Sequence, residues 1–170
     1  MPIVLRPEAA TQSLIEFRVG KAQTSCVYPG IQQCFAIAGV RATHMACTHV
    51  TPGSSAQDIL DTFEYLKEIG GTWASDWYVI GPFSHFFTSD NTPWTSAQDI
   101  KDAFTAAFGD TGANHWIMDV TDQRNQFGFG IDVKIDMTAG NRVITPSYKK
   151  GFARHITTWT PLDNADFVRF

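Results

Sequence analysis

Several large classes of protein are excluded by what this chain does not contain. The longest apolar stretch, Phe35 to Val40, includes a glycine and stops at Arg41, far short of the ~20 residues that a membrane-spanning helix needs. The opening residues Met1-Pro2-Ile3-Val4-Leu5-Arg6-Pro7-Glu8 have neither the basic start nor the long apolar centre of a secretory signal, so a cytoplasmic location is expected. No basic run exceeds Lys149-Lys150, and 13 Lys plus Arg against 17 Asp plus Glu leave a net charge of −4. Neither nucleic acid nor membrane is therefore an expected partner. Cysteine is sparse: Cys26, Cys34 and Cys47 contain no CxxC pair, which gives neither a disulfide framework nor a thiolate zinc site. A phosphate loop is missing as well, because Gly128-Phe129-Gly130 sits in an alternating segment and opens no helix.

What remains is a chain of 170 residues, 44% apolar and 13% aromatic. That is enough for a single domain, 1–170, with a full core. Leu14 to Gly20 alternates at Ile15, Phe17 and Val19 and reads as a first strand. After Pro29-Gly30, taken as a turn, Cys34 to Ala38 and Thr43 to Val50 form a predicted hairpin connected through Gly39 to Ala42. Pro52-Gly53-Ser54 breaks the sheet pattern. Ser55 then starts a helix as its N-cap, with Asp58 three residues on, and Gly70-Gly71 ends it. The same five residues, Ser-Ala-Gln-Asp-Ile, recur at Ser96 to Ile100 and open a second helix that Gly109 closes. Further strands are predicted at Trp77 to Ile80 and His115 to Val120. The clearest alternation follows, with Phe127, Phe129, Ile131, Val133 and Ile135 on one face and Gln126, Asp132, Lys134 and Asp136 on the other. Ala139-Gly140-Asn141 turns this strand into Arg142 to Thr145, and Arg154 to Trp159 supplies a last strand. This order predicts an α+β fold: a mixed, mainly antiparallel β-sandwich with two amphipathic helices on one sheet.

Thiol catalysis needs a cysteine and a histidine able to exchange a proton. The hairpin offers one such pair. If Cys34 faces His49 and Ala36 faces Cys47, the side chains of the first pair share a face with Cβ atoms about 4.5–5.5 Å apart, and the small Ala36 leaves room beside the sulfur. His44 lies on the opposite face of a regular strand. The irregular stretch Pro29 to Gln33 before Cys34 leaves backbone N–H groups available as an oxyanion hole. Cys47 and His49, with Cys34, are also three potential metal ligands. No further acidic or histidine partner sits at a telling spacing, so no metal and no cofactor are expected. His85, His115 and His155 are isolated and receive no role. Phe86, Phe87 and Trp94 read as core residues, with an exposed aromatic rim for protein recognition as the other option.

The stretch Gly30-Ile31-Gln32-Gln33-Cys34-Phe35-Ala36-Ile37-Ala38-Gly39, with His49-Val50-Thr51-Pro52-Gly53 and a helix after it, resembles the chemoreceptor glutamine deamidases of bacterial chemotaxis, the CheD-like superfamily. The likeness continues through Tyr78-Val79-Ile80-Gly81, the helix from Ser96 to Phe108, the strand from Trp116 to Val120 and the closing hairpin Ile131 to Val143. It covers about Val19 to Thr145 in order and spacing. The Cys/His arrangement is also similar to that of the catalytic domain of the cytotoxic necrotizing factor toxins. The resemblance implies a protein-glutamine deamidase acting through a thioester, with Cys34 as nucleophile and His49 as base, on a protein partner that presents an exposed glutamine. Gln32-Gln33 replaces the Gly-Ser that precedes the cysteine in the chemotaxis enzymes. Tyr28 stands where their histidine-orienting threonine lies, whereas the toxin class can use a backbone carbonyl for that task. Ser25-Cys26-Val27 copies a Ser-Cys-Val of the chemotaxis family and makes Cys26 a second candidate nucleophile. A non-catalytic protein-binding module on the same fold is the alternative function. An unusually low Cys34 pKa is the property expected of the enzyme and not of the module.

Overall fold

The computed structural model describes residues 3–51, 54–88, 94–128, 130–138 and 140–170. The strand breaker Pro52-Gly53, the loop Ser89 to Pro93, and Phe129 and Ala139 of the closing hairpin lie outside the described residues. The fold is α+β. Its strands are β1 Val4–Leu5, β2 Ala9–Ser13, β3 Arg18–Ile31, β4 Phe35–Val40, β5 Met45–Val50, β6 Asp76–Gly81, β7 Asn114–Asp119, β8 Ile131–Thr138, β9 Val143–Lys150, β10 Thr160–Pro161 and β11 Val168–Arg169. Among the described residues these strands form one mixed, curled sheet in the order β10-β9-β8-β3-β5-β4-β6-β7-β11, with β1 and β2 beside β3. The helices are α1 Ala56–Glu68, α2 Phe83–Phe86, α3 Ala97–Phe108 and α4 Thr121–Asn125. No helix among the described residues is long and apolar enough to cross a membrane.

The two long helices start where local chemistry places them. Ser55 Oγ accepts the Asp58 N–H at 3.1 Å while the Asp58 carboxylate accepts the Ser55 N–H at 3.0 Å, and Ser96 with Asp99 repeats the arrangement. Each box satisfies N–H groups that have no partner inside the helix. Gly70, at φ +95°, follows the last turn of α1. Ile59, Phe63 and Leu66 of α1 and Ile100 and Phe104 of α3 pack on Phe35, Ile37 and Val79 of the sheet. The Phe63 and Phe104 rings stack with centroids 4.9 Å apart. Phe86 and Trp94 are buried in this layer and do not form a rim.

Alternate residues of β4 and β5 point to the other face. There Cys34, Ala36, Ala38 and Cys47 share a core with Ile80 and Met118 from one end of the sheet and with Ile135, Met137 and Ile144 from the other. The curl brings these distant strands onto common side chains, so both faces of the central hairpin are buried.

Several sequence expectations are corrected. The hairpin pairs Ala36 with His49 and Ala38 with Cys47, two residues out of the expected register. The cause is a tighter connection, closed by the Arg41 N–H donating to the His44 carbonyl at 2.9 Å. A two-residue shift keeps every side chain on its face, so Cys34 and His49 still point the same way. Leu14 to Phe17 is a reversal and not the start of a strand; Phe17 has φ 61°, and the strand begins at Arg18. Pro29-Gly30 does not end β3. The strand runs through it to Ile31, with a register shift against β8 between Tyr28 and Ile31 and Gly30 at φ +71°, which marks a bulge. Asp132 is buried, not solvated, and accepts the backbone N–H groups of Gly30 at 2.9 Å and Phe152 at 3.0 Å. Arg154 to Trp159 is irregular. The Lys149 ammonium donates to the Ile156 carbonyl at 2.8 Å and sits over the Trp159 ring, holding that segment without a ladder.

Candidate active site

Three segments converge on the sulfur of Cys34: the reversal after β2, the bend Gln32-Gln33 before β4, and the end of β5. Cys34 Sγ, a ring nitrogen of His49 and a carboxylate oxygen of Glu16 all lie within 4.8 Å of one another. The Cys34 thiol donates to Glu16 Oε1 at 3.2 Å. His49 Nδ1 is 2.9 Å from the Leu14 carbonyl. A carbonyl only accepts, so Nδ1 carries the proton and Nε2 keeps its lone pair. Nε2 is buried and has no hydrogen-bond partner. The pair named from sequence is thus brought together diagonally, with Ala36 opposite His49, and the imidazole is oriented by a backbone carbonyl.

The approach to Cys34 is fixed from outside the hairpin. Asp132 holds the Gly30 N–H, and Arg124 Nε donates to the Gln32 carbonyl at 3.0 Å. The backbone of Gln33 and Gln32 lies near enough to Cys34 to favour its thiolate against burial. Backbone donors so placed suit an oxyanion formed on an atom bonded to that sulfur.

Electrostatics overturn the expected acidic thiol. Burial, then the hydrogen bond and charge of Glu16, push the Cys34 thiol well above the ordinary range; the Gln33 and Gln32 N–H groups only partly oppose this. Cys34 is 4% exposed. Burial also lowers His49, against the Leu14 hydrogen bond and the Glu16 charge. Both partners rest neutral, so the low thiol pKa expected of an enzyme is not met; an enzymatic reading requires that the sulfur lose its proton to His49 during attack, not before it.

His44 and His115 are likewise lowered, chiefly by burial, from the ordinary 6.5. A histidine depressed in the folded state contributes stability that is complete above its unfolded value and is lost as pH falls through its folded value. Asp58, Asp99 and Asp119 are lowered from 3.8, so their contribution persists until the solution is much more acidic. Unfolding is therefore expected to take up protons as the pH falls below about 6.5, before the carboxylates titrate. The melting temperature should fall through that window, and His49→Gln should flatten the slope by as much as ~1.4 kcal/mol per pH unit. A pH-independent melting temperature there contradicts the assigned histidine states.

The other sequence candidates sit apart. Cys26 lies fully buried beside Cys47 and Tyr28, with its thiol raised first by burial and then by Cys47, so it lacks solvent access. Cys47 belongs to that group, and the ligand-like cluster among the described residues is Glu16, Cys34 and His49, not the Cys34, Cys47 and His49 set weighed from the sequence. The Tyr28 hydroxyl donates to the Ile37 carbonyl at 2.9 Å, and its ring meets His49 edge-on at 6.2 Å. It braces the sheet and packs against the imidazole without orienting it by a hydrogen bond. His44 contacts Thr43 Oγ1, His85 contacts Gln33 Nε2, and His115 packs between Phe104 and Phe170. Leu14 and Glu16 are the participants missed from sequence; a reversal built without glycine or proline leaves no turn signal there.

No protein-family model matches the sequence, and no curated protein does.

Proposed function

We propose that the chain is a cysteine-dependent protein-glutamine deamidase. The observation that carries this reading is the His49 imidazole: its Nδ1 is tied to the Leu14 carbonyl, and its unpartnered Nε2 is the nitrogen left for the Cys34 sulfur. The α+β arrangement, with two amphipathic helices on one face and a second core closed by the curl, is read as a CheD-like sandwich. The cytoplasm, where thiols remain reduced, suits the chemistry.

In the proposed reaction a glutamine carboxamide displaces the exposed Glu16 side chain from the sulfur. His49 Nε2 takes the thiol proton as sulfur bonds to the carboxamide carbon, and the Gln32 and Gln33 N–H groups meet the oxyanion. Glu16 remains near enough to favour the imidazolium by charge. The imidazolium gives its proton to the leaving nitrogen, the C–N bond breaks, and ammonia departs from a thioester. His49 next takes a proton from water, hydroxide adds to the thioester carbon, and the C–S bond breaks to release glutamate and restore the thiol. Transfer to an amine in place of water is the competing outcome.

The test incubates the chain with a mixed protein extract and reads ammonia together with glutamine-to-glutamate conversion at the peptide level, against Cys34→Ser. Conversion by the wild type alone is expected. Equal conversion in both preparations leaves a non-catalytic protein-binding module on the same fold.

A further inference from the structure

We propose that Glu16, Cys34 and His49 form a binding site for one Zn²⁺ ion. Ligand type supports this first: one carboxylate oxygen, one sulfur and one imidazole nitrogen come from three separate segments to within 4.8 Å of one another. Donors sharing a tetrahedral zinc, bound at about 2.0–2.3 Å, stand roughly 3–4 Å apart. A small contraction of the exposed Glu16 side chain and the cysteine rotamer closes the site.

The histidine supplies the second, independent observation. His49 is 2% exposed, and its Nε2 is buried without a hydrogen-bond partner, a condition that costs free energy unless something occupies that lone pair. Its Nδ1–H is donated to the Leu14 carbonyl, the outer bond that metal-binding imidazoles characteristically make and that aims Nε2 at the ion. One feature thus orients the nitrogen, and another leaves it unpaired. The sulfur and imidazole select a borderline-soft ion over Mg²⁺ or Ca²⁺, which prefer all-oxygen sites. Three protein ligands leave the fourth zinc position for water.

Binding replaces the Cys34 thiol proton with the metal, so sulfur becomes a zinc thiolate and one proton leaves to solvent. It also occupies His49 Nε2. Zinc therefore withdraws both nucleophile and base, and it should inhibit deamidation reversibly. That consequence rests on the function proposed above; the binding itself does not.

The test titrates Zn²⁺ into the reduced full chain against a coloured chelator, and Co²⁺ in parallel. Expected are one ion per chain and a thiolate-to-cobalt charge-transfer absorption. Cys34→Ser should abolish that absorption, and Glu16→Gln, a change at an exposed position that should leave melting unaltered, should weaken affinity at least about tenfold. Affinity unchanged in both variants, or cobalt binding without a thiolate signature, overturns the site. A chain that binds zinc through these residues yet deamidates nothing keeps this site and loses the function. A deamidase indifferent to zinc does the reverse.

Discussion

Alanine at position 49 is expected to lower glutamine deamidation by about 10²–10⁴-fold, the range spanned by positioned general acid–base groups. The expectation is at the upper end here because the Cys34 thiol is held well above the ordinary range by burial and by Glu16, so little thiolate forms without a base. His49 serves every proton transfer in the proposed cycle, and removing it also discards the tautomer fixed by Leu14. Cys34→Ser should be at least as severe, since a hydroxyl in the same setting is a weaker nucleophile. The two changes act on one unit, so the double variant should be scarcely slower than Cys34→Ser. Initial rates of ammonia release check this, and a His49→Ala rate within about twofold of wild type contradicts a base role, given the cost expected of losing one.

Asp132→Ala should destabilise the fold by about 2–4 kcal/mol. One buried carboxylate oxygen accepts N–H groups from Gly30 and Phe152, and each donor left unpaired costs roughly 1–3 kcal/mol, the more exposed Phe152 N–H at the low end. The bulge it braces is specialised: Gly30 is at φ +71°, and a Cβ there would lie 2.2 Å from the Phe152 ring, so no other residue takes its place without strain. Urea unfolding measures the loss. Asp132→Asn, which keeps an acceptor oxygen, should lose less than the alanine variant. A midpoint unchanged in Asp132→Ala contradicts the assigned brace.

These two residues show what was legible in the chain. Helices α1 and α3 were readable because a capping box and a helical apolar face are both local, a few residues wide. The Cys34/His49 pairing was readable because side-chain parity along two strands survives a two-residue error in register. The register itself was not, since it depends on how tightly Arg41 to His44 turns, and apolar alternation carries no information about that. Asp132 looked like a solvated residue because its period places it among charged neighbours; its two donors come from the bulge opposite, at Gly30, and from the turn after β9, at Phe152. Pro29-Gly30 carries a turn composition, yet pairing with β8 before it at Tyr28 and after it at Ile31 makes it a bulge within β3 and not a turn. Glu16 gave no sign at all. Its reach to the sulfur depends on a reversal at Leu14 to Phe17 with a non-glycine residue at positive φ, and it adds to burial, the larger cause, in raising the thiol above the expected range.

Alkylation of Cys34 by iodoacetamide, followed cysteine by cysteine across the neutral to alkaline range, reads the state of that sulfur most directly. In wild type Cys34 should react slowly, but faster than Cys26 and Cys47, which are fully buried. His49→Gln should slow it further at neutral pH, and Glu16→Gln should speed it, by about tenfold for each pKa unit the lost carboxylate had added. Identical Cys34 profiles in all three proteins would mean that neither the imidazole nor the carboxylate governs the sulfur, and the catalytic pair would be disproved.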